Sequence, residues 1–280
     1  MIVWLASYPK SGNTWIRMFL RSYFLKDDTL FSLNHKGNES FEAQIFPSMK
    51  MLKNASIDPT KFMDIAKNWI ALQDFINLNG KLNFFKTHNG NFTINNHPFT
   101  NTDNTIGGIY IVRDPRDVLL SYSHHLGLSH KDTLERMIDM QNFEVDESDE
   151  NMKGAFKRSI LGTWSHHYLS WKSYKGRKIF ILKYEELAEN PKKKFYEILE
   201  YLKNFFPLEI NEERINKSID ITKFENLQRL ENKHGFEEKK KNSNFFRKGK
   251  VGDWKANLDP QFVKTIEQNF KKEMIELGYL

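Results

Sequence analysis

Along the chain, short apolar runs alternate with small-residue turns and with stretches whose apolar positions recur at helical spacing, the pattern of a parallel sheet with crossover helices. Ile2–Ser7 is strand-like and runs into Tyr8-Pro9-Lys10-Ser11-Gly12-Asn13-Thr14, after which residues 15–25 read as a helix. A second strand is predicted over residues 109–112, ending at Arg113. Asp114-Pro115 then supplies a cap and a first-turn proline, so a helix starts there with Val118, Leu119, Tyr122 and Leu126 on its apolar face. A shorter strand over residues 83–86 leads into Thr87-His88, and another over 178–183 precedes Asn190-Pro191 and a helix over 192–202. The Asn- and Thr-rich stretch 89–105 and the acidic stretch 144–150 read as loops, and neither marks a domain boundary. No repeat with a period of roughly 20–50 residues is present.

With 280 residues, 39% hydrophobic and 28% charged, the chain can build a sizeable core, which excludes a disordered tail and leaves room for one large domain or two small ones. The absence of cysteine excludes disulfide frameworks, thiolate metal sites and a cysteine nucleophile. Forty-two Lys and Arg against 36 Asp and Glu give a net charge of +6, which suits an anionic ligand but equally describes a mildly basic soluble protein. The longest apolar tracts, such as Ile2–Ala6, are strand-sized, far from the ~20 residues that cross a bilayer. With Tyr8-Pro9-Lys10 following at once and no basic leader, the expected location is the cytoplasm. The pairs His124-His125 and His166-His167 point in different directions on a helix, unlike metal ligands at i and i+4, so they read as packing or surface residues and no metal site is expected. The lysine runs 192–194 and 239–241 read as solvated faces, and the glycosylation-type triplets at Asn38, Asn54, Asn91 and Asn216 carry no weight.

Three turns have the chemistry to read phosphate. In a strand–turn–helix unit the free backbone N–H groups and the helix dipole converge, so Lys10-Ser11-Gly12-Asn13-Thr14 suits an anion. Gly12 permits close backbone approach, Lys10 brings a mobile charge, and the Thr14 hydroxyl and the Ser11 and Asn13 side chains offer polar contacts. An ordinary capped turn is the plainer account. The lysine precedes the glycine and a leading glycine is missing, unlike G-x-x-x-x-G-K-[ST], which argues against an ATP-dependent small-molecule kinase. Arg113 and Ser121, at a strand end and about two turns into the next helix, can reach one anion, although Arg113 could simply pair with Asp114 or Asp117. Near the C-terminus, Phe246-Arg247-Lys248-Gly249-Lys250-Val251-Gly252-Asp253-Trp254 is a basic, glycine-containing loop able to close on a phosphate.

Taken in order, these segments resemble the cofactor signatures of the sulfotransferases that use 3′-phosphoadenosine 5′-phosphosulfate (PAPS). Residues 8–15 resemble the family's Y-P-K-S-G-T-T-W loop with Asn13 in place of one threonine; residues 110–122 resemble its 3′-phosphate segment; and Arg247-Lys248-Gly249 with Gly252-Asp253-Trp254-Lys255 resembles R-K-G-x-x-G-D-W-K. Lys86-Thr87-His88 resembles the catalytic K-T-H, Tyr184-Glu185 with Asn190-Pro191 the Y-E…N-P segment, and Thr222-Lys223-Phe224 the adenine-binding T-x-F. Asn89-Gly90 departs from the leucine-proline pair of the animal cytosolic members, and their K-x-x-x-T-V-x-x-x-E dimerisation motif has no clean counterpart.

The resemblance implies an α/β fold: one domain over 1–280, with a central parallel sheet flanked by helices and related to the P-loop nucleotide kinases. It implies His88 as general base, with Lys10 and Lys86 stabilising charge on the bridging oxygen and the sulfuryl group. It further implies that Lys10, Ser11, Gly12, Asn13 and Thr14 hold the 5′-phosphosulfate, and that Arg113, Ser121, Arg247, Lys248 and Gly249 hold the 3′-phosphate. Trp15 and Phe224 would sandwich adenine, with Tyr184 and Thr222 at its edge, although Trp15 equally reads as a core residue. The product would be adenosine 3′,5′-bisphosphate (PAP), the partner a small-molecule or glycan acceptor, and neither nucleic acid nor membrane is implied. A catalytically silent PAP-binding protein is the alternative.

Overall fold

The computed structural model describes residues 1–34, 41–145, 157–176, 178–239 and 244–280. Asn38, most of the acidic stretch 144–150 and part of the lysine run 239–241 lie outside the described residues. Five parallel strands form the central sheet: β1 (Ile2–Ser7), β2 (Gln44–Ile45), β3 (Asn83–Thr87), β4 (Thr105–Val112) and β5 (Phe180–Lys183), in the order β2-β3-β1-β4-β5. The helices that matter for the site are α1 (Asn13–Phe24), α2 (Pro115–Leu126), α3 (Trp164–Lys172), α4 (Pro191–Leu202), α5 (Phe224–His234) and α6 (Pro260–Glu276).

Strands buried on both faces need no polar alternation, which is why β1 reads as an unbroken apolar run. Its side chains nonetheless divide with period two. Ile2, Trp4 and Ala6 pack with Phe46, Phe85, Phe99 and Trp171 on one face, while Val3 and Leu5 pack with Ile16, Phe19, Phe195 and Leu199 on the other. Register then places the chemistry. Ala6 lies opposite both Thr87 and Tyr110, and Val112 lies opposite Lys183, so the segments that follow β1, β3, β4 and β5 all leave from one edge of the sheet.

Two helix starts follow from local chemistry. The Asp114 carboxylate accepts from the Arg116 backbone N–H at 2.9 Å, and Asn190 Oδ1 accepts from Lys193 N at 3.2 Å, each just ahead of a proline. β4 begins four residues earlier than the apolar run suggests, because Gly107 and Gly108 lie inside it. A Cβ on Gly107 would stand 2.4 Å from the Phe205 ring, and the Gly108 N–H donates to Tyr201 Oη at 2.9 Å, so the glycines admit the end of α4 against the strand. The stretch 89–105 is also more ordered than expected: Thr93–Ile94 and His97–Pro98 form a small antiparallel hairpin, turned at Asn95 and Asn96 with φ of 45° and 66°. Glu144 and Val145, read as loop, belong to a short strand Phe143–Val145 paired with Lys157–Ile160.

Candidate active site

The turn after β1 is shaped by two residues of positive φ, Lys10 at 64° and Gly12 at 103°. At Gly12 no other residue fits, since a Cβ would lie 2.6 Å from Tyr184 Cδ2. The backbone then enters α1 with Gly12, Asn13, Thr14 and Trp15 lining the cavity beside the turn. Ser11 Oγ is buried with no protein partner, while the Thr14 hydroxyl lies at the cavity wall. The Asn13 side chain braces the turn against β1: Nδ2 donates to Leu5 O at 3.0 Å and to Ser7 Oγ at 3.3 Å, and Oδ1 accepts from Arg17 Nε at 3.0 Å. Lys10 Nζ sits 3.8 Å from the centre of the Phe245 ring, and burial pulls its ammonium down to about 7.

A carboxylate that the sequence did not point to stands in the same place. Glu238 pairs with Arg17 at 2.7 Å and with Lys86 at 3.2 Å, and accepts from the Thr14 hydroxyl at 3.5 Å. Burial alone would raise its pKa, but the Arg17 and Lys86 cations hold it well below the usual carboxylate range. The groups expected to grip a phosphosulfate thus already hold one anionic side chain.

His88 follows β3 and is half-buried. Its Nδ1 lies 2.7 Å from Ser7 O, a carbonyl that can only accept, so the proton is on Nδ1 and Nε2 is left with a free lone pair. Burial, then the neighbouring Lys86 charge, push the imidazole well below its ordinary pKa, so it is neutral at physiological pH.

The far end of the cavity is built by β4 and the C-terminal loop. Arg113 donates to Lys10 O at 3.3 Å and to Lys250 O at 2.8 Å, lies 4.4 Å above the Tyr184 ring and approaches Asp117 to 3.8 Å. Its Nε is buried without a partner. Asp117 pins the loop by accepting from Gly252 N at 2.7 Å and Trp254 N at 3.0 Å. Gly249, with φ of 62°, lets the Phe224 ring approach to 2.5 Å from where a Cβ would be, and its carbonyl accepts from Tyr184 Oη at 3.3 Å. Lys248 pairs with Asp253 at 3.0 Å, and Arg247 reaches the same carboxylate at 3.5 Å. The Thr222 hydroxyl donates to Ser218 O at 2.7 Å. Trp15 is half-buried, edge-on to Tyr184 with ring centres 6.0 Å apart, and its Nε1 has no partner.

One cavity of about 1270 Å³ is lined by Lys10, Gly12, Asn13, Thr14, Trp15, Lys86, His88, Arg113, Ser121, Tyr184, Thr222, Phe224, Arg247, Lys248 and Gly249, whereas Ser11 is buried and does not line it. Unpartnered donors at Ser11, Trp15 and Arg113, with glycines where backbone must approach closely, fit a nucleotide carrying phosphate at two positions. Among the described residues, no group of three or more His, Asp or Glu is placed to hold a metal ion, and no helix is long and apolar enough to cross a membrane. Sequence reasoning missed Arg17, Glu238 and Phe245, and named Asp117 only as a partner for Arg113, not as the group that pins the C-terminal loop. Of the three missed, only Arg17 left a local signal, one helical turn after Asn13.

A family model described as "Sulfotransferase domain" matches residues 2–278. Cytosolic sulfotransferase 11 of Arabidopsis thaliana is 28% identical over 275 residues, covering 94% of this chain and 70% of that protein. Flavonol 3-sulfotransferase of Flaveria bidentis is 26% identical, covering 99% and 82%. Among solved structures, a mouse sulfotransferase complexed with PAP superposes with a TM-score of 0.57 at 19% identity, covering 97% of this chain and 83% of that one. Retinol dehydratase in a complex with retinol and PAP gives 0.59 at 19%, covering 98% and 81%. These superpositions support the fold described above.

Proposed function

This chain belongs to the sulfotransferase family, and we propose that it transfers the sulfuryl group of PAPS, in line and without a metal, to a hydroxyl or amine of a small-molecule or glycan acceptor. The reading takes residues 1–280 as one sulfotransferase domain and the cytoplasm as its location, in keeping with the cytosolic relatives. A small-molecule acceptor agrees with the name of the relative called flavonol 3-sulfotransferase.

One observation carries the reading: Arg113 bridges the carbonyls of Lys10 and Lys250, tying the two phosphate-reading loops together around a single cavity that also contains His88. When bound, PAPS supplies the sulfuryl group and a phosphate leaving group. The rest falls to the protein. His88 Nε2 takes the acceptor proton as the acceptor oxygen or nitrogen bonds to sulfur and the bond from sulfur to the bridging oxygen breaks. The Nδ1–H bond to Ser7 keeps that lone pair aimed at the cavity. Lys10, Lys86 and the first-turn N–H groups of α1 stabilise charge on the bridging oxygen and the moving group. Arg113, Ser121, Arg247, Lys248 and Gly249 hold the 3′-phosphate, Trp15 and Phe224 flank adenine, and Tyr184 and Thr222 lie at its edge.

Because the depressed pKa leaves His88 unprotonated below the ordinary imidazole value, loss of activity on the acid side should begin below pH ~6.5. Calorimetry with PAP, ATP and oligonucleotides tests the cofactor, and labelled PAPS offered with phenols, alcohols, amines and sugars tests the transfer. PAP binding with ATP and oligonucleotides excluded, together with label transfer, is expected. Preference for ATP would overturn the reading, and PAP binding without transfer to any acceptor class would favour a silent binding protein.

A further inference from the structure

The buried histidine His167 on α3, which the chemistry above does not use, lies directly behind the catalytic loop. Its Nε2 is 3.0 Å from the backbone carbonyl of His88, and its Nδ1 is 2.8 Å from Tyr110 Oη in β4. A carbonyl accepts only, so Nε2 carries the proton and Nδ1 takes the tyrosine hydrogen. The Tyr8 ring, at the start of the phosphate turn, stands edge-on to His167 with centres 5.4 Å apart. A polar chain therefore runs from Tyr110 in β4 through His167 on α3 to the His88 carbonyl.

We propose that Tyr110 and His167 are positioning residues for the catalytic histidine: by fixing the His88 carbonyl they hold its imidazole against Ser7 and set its distance from the phosphate turn. The proposal rests on the sulfuryl-transfer reading for its purpose, but its geometry stands apart from it.

Packing alone does not account for the pair. Both side chains are fully buried, and an apolar residue would fill the space without the cost of leaving a buried polar atom unsatisfied. Every polar atom of the pair instead has a directed partner. Burial pulls His167 down to about 4, so across the working pH range it remains the neutral ring with one donor and one acceptor that this chain requires. The rest of α3 continues the same task. Trp171 Nε1 donates to Asn89 O at 2.9 Å, and Ser170 Oγ accepts from Asn91 N at 2.9 Å. Gly90 N donates to Ile160 O at 2.8 Å, so the backbone from His88 to Asn91 is anchored residue by residue.

The test reads the imidazole itself. In ring-nitrogen NMR spectra of the PAP-bound protein, with the signals assigned by loss in His88→Ala, His88 should show one protonated and one bare nitrogen, well separated. His167→Ala should bring the two resonances toward their average and lower turnover on the order of 10²-fold, with the PAP dissociation constant within twofold of wild type. His167→Gln, whose amide N–H can still reach the His88 carbonyl, should restore most of the separation and of the rate. Tyr110→Phe removes a single oxygen and should give an intermediate shift, which keeps the test intact if His167→Ala does not fold. Unchanged His88 resonances in Tyr110→Phe and His167→Ala would overturn the proposal, as would a glutamine variant as impaired as the alanine one. Failure of wild-type protein to bind PAP would count against the cofactor assignment instead, and the tautomer comparison in the ligand-free protein would still decide the positioning role.

Discussion

The loop after β3 that carries His88 and the basic loop before residue 254 both contribute to one cavity, yet they are held in different ways. From His88 to Asn91 the backbone is tied to α3 and to the strand at Ile160 by hydrogen bonds, and the His88 side chain is tied to Ser7 of β1. Around Arg247 and Lys248 the cations are partly exposed, with side-chain exposures of 31% and 39%, and share the Asp253 carboxylate. A proton acceptor needs its lone pair aimed to within a fraction of an ångström, whereas the grip on a phosphate needs charge nearby. Rigidity is concentrated where direction matters.

The largest effect that would sharpen this contrast is at the rigid end. His88→Ala should reduce turnover by ~10²–10⁴-fold while PAP binding persists, as measured by label transfer and calorimetry. Loss of both together would make the residue a structural one and erase the distinction. At the loose end, Arg247→Ala should weaken PAP by ~10–100-fold, the worth of a hydrogen bond to a charged group, and leave the melting temperature unchanged. A variant that instead unfolds would show that the C-terminal loop is as structural as the catalytic one.

Between the two lies Lys10, whose ammonium sits near pH 7 in the free protein. A bound anion favours the charged form and raises that pKa, so at pH 8 PAP binding should take up protons. Affinity should rise as pH falls from 8.5 to 6.5, by at most ~10-fold per unit. Calorimetry in buffers of different ionisation enthalpy checks the sign, and proton release would contradict it. The smallest effect is expected at Glu238. Its carboxylate competes with the ligand for Lys86 and Arg17, so Glu238→Gln should tighten PAP binding by ~3–10-fold at some cost in stability. Weaker binding would mean that the carboxylate organises those cations for the ligand rather than opposing it.

The strand ends and helix starts were legible because their chemistry is local. Asp114-Pro115 and Asn190-Pro191 announce capped helices, and Gly12 announces a turn that only glycine can make. What escaped depended on distance along the chain. Glu238 meets Arg17 across 221 positions, and no pattern near either residue records the pairing. His167 read as a packing histidine because its role lies in a carbonyl 79 positions away. Gly107-Gly108 interrupts an apolar run, yet the strand continues through it because α4 supplies the missing bulk. The Asn95-Asn96 turn did carry a local signature, hidden by the polar composition around it.

One wall of the cavity has a separate origin. Ile45, Phe46 and Pro47 come from the end of β2 and the residues after it, and Ser159 from the strand at Lys157–Ile160, two segments distinct from the loops that Arg113 ties together. Substitutions at these positions would therefore reshape the cavity without touching the hydrogen bonds by which Arg113 joins the two loops.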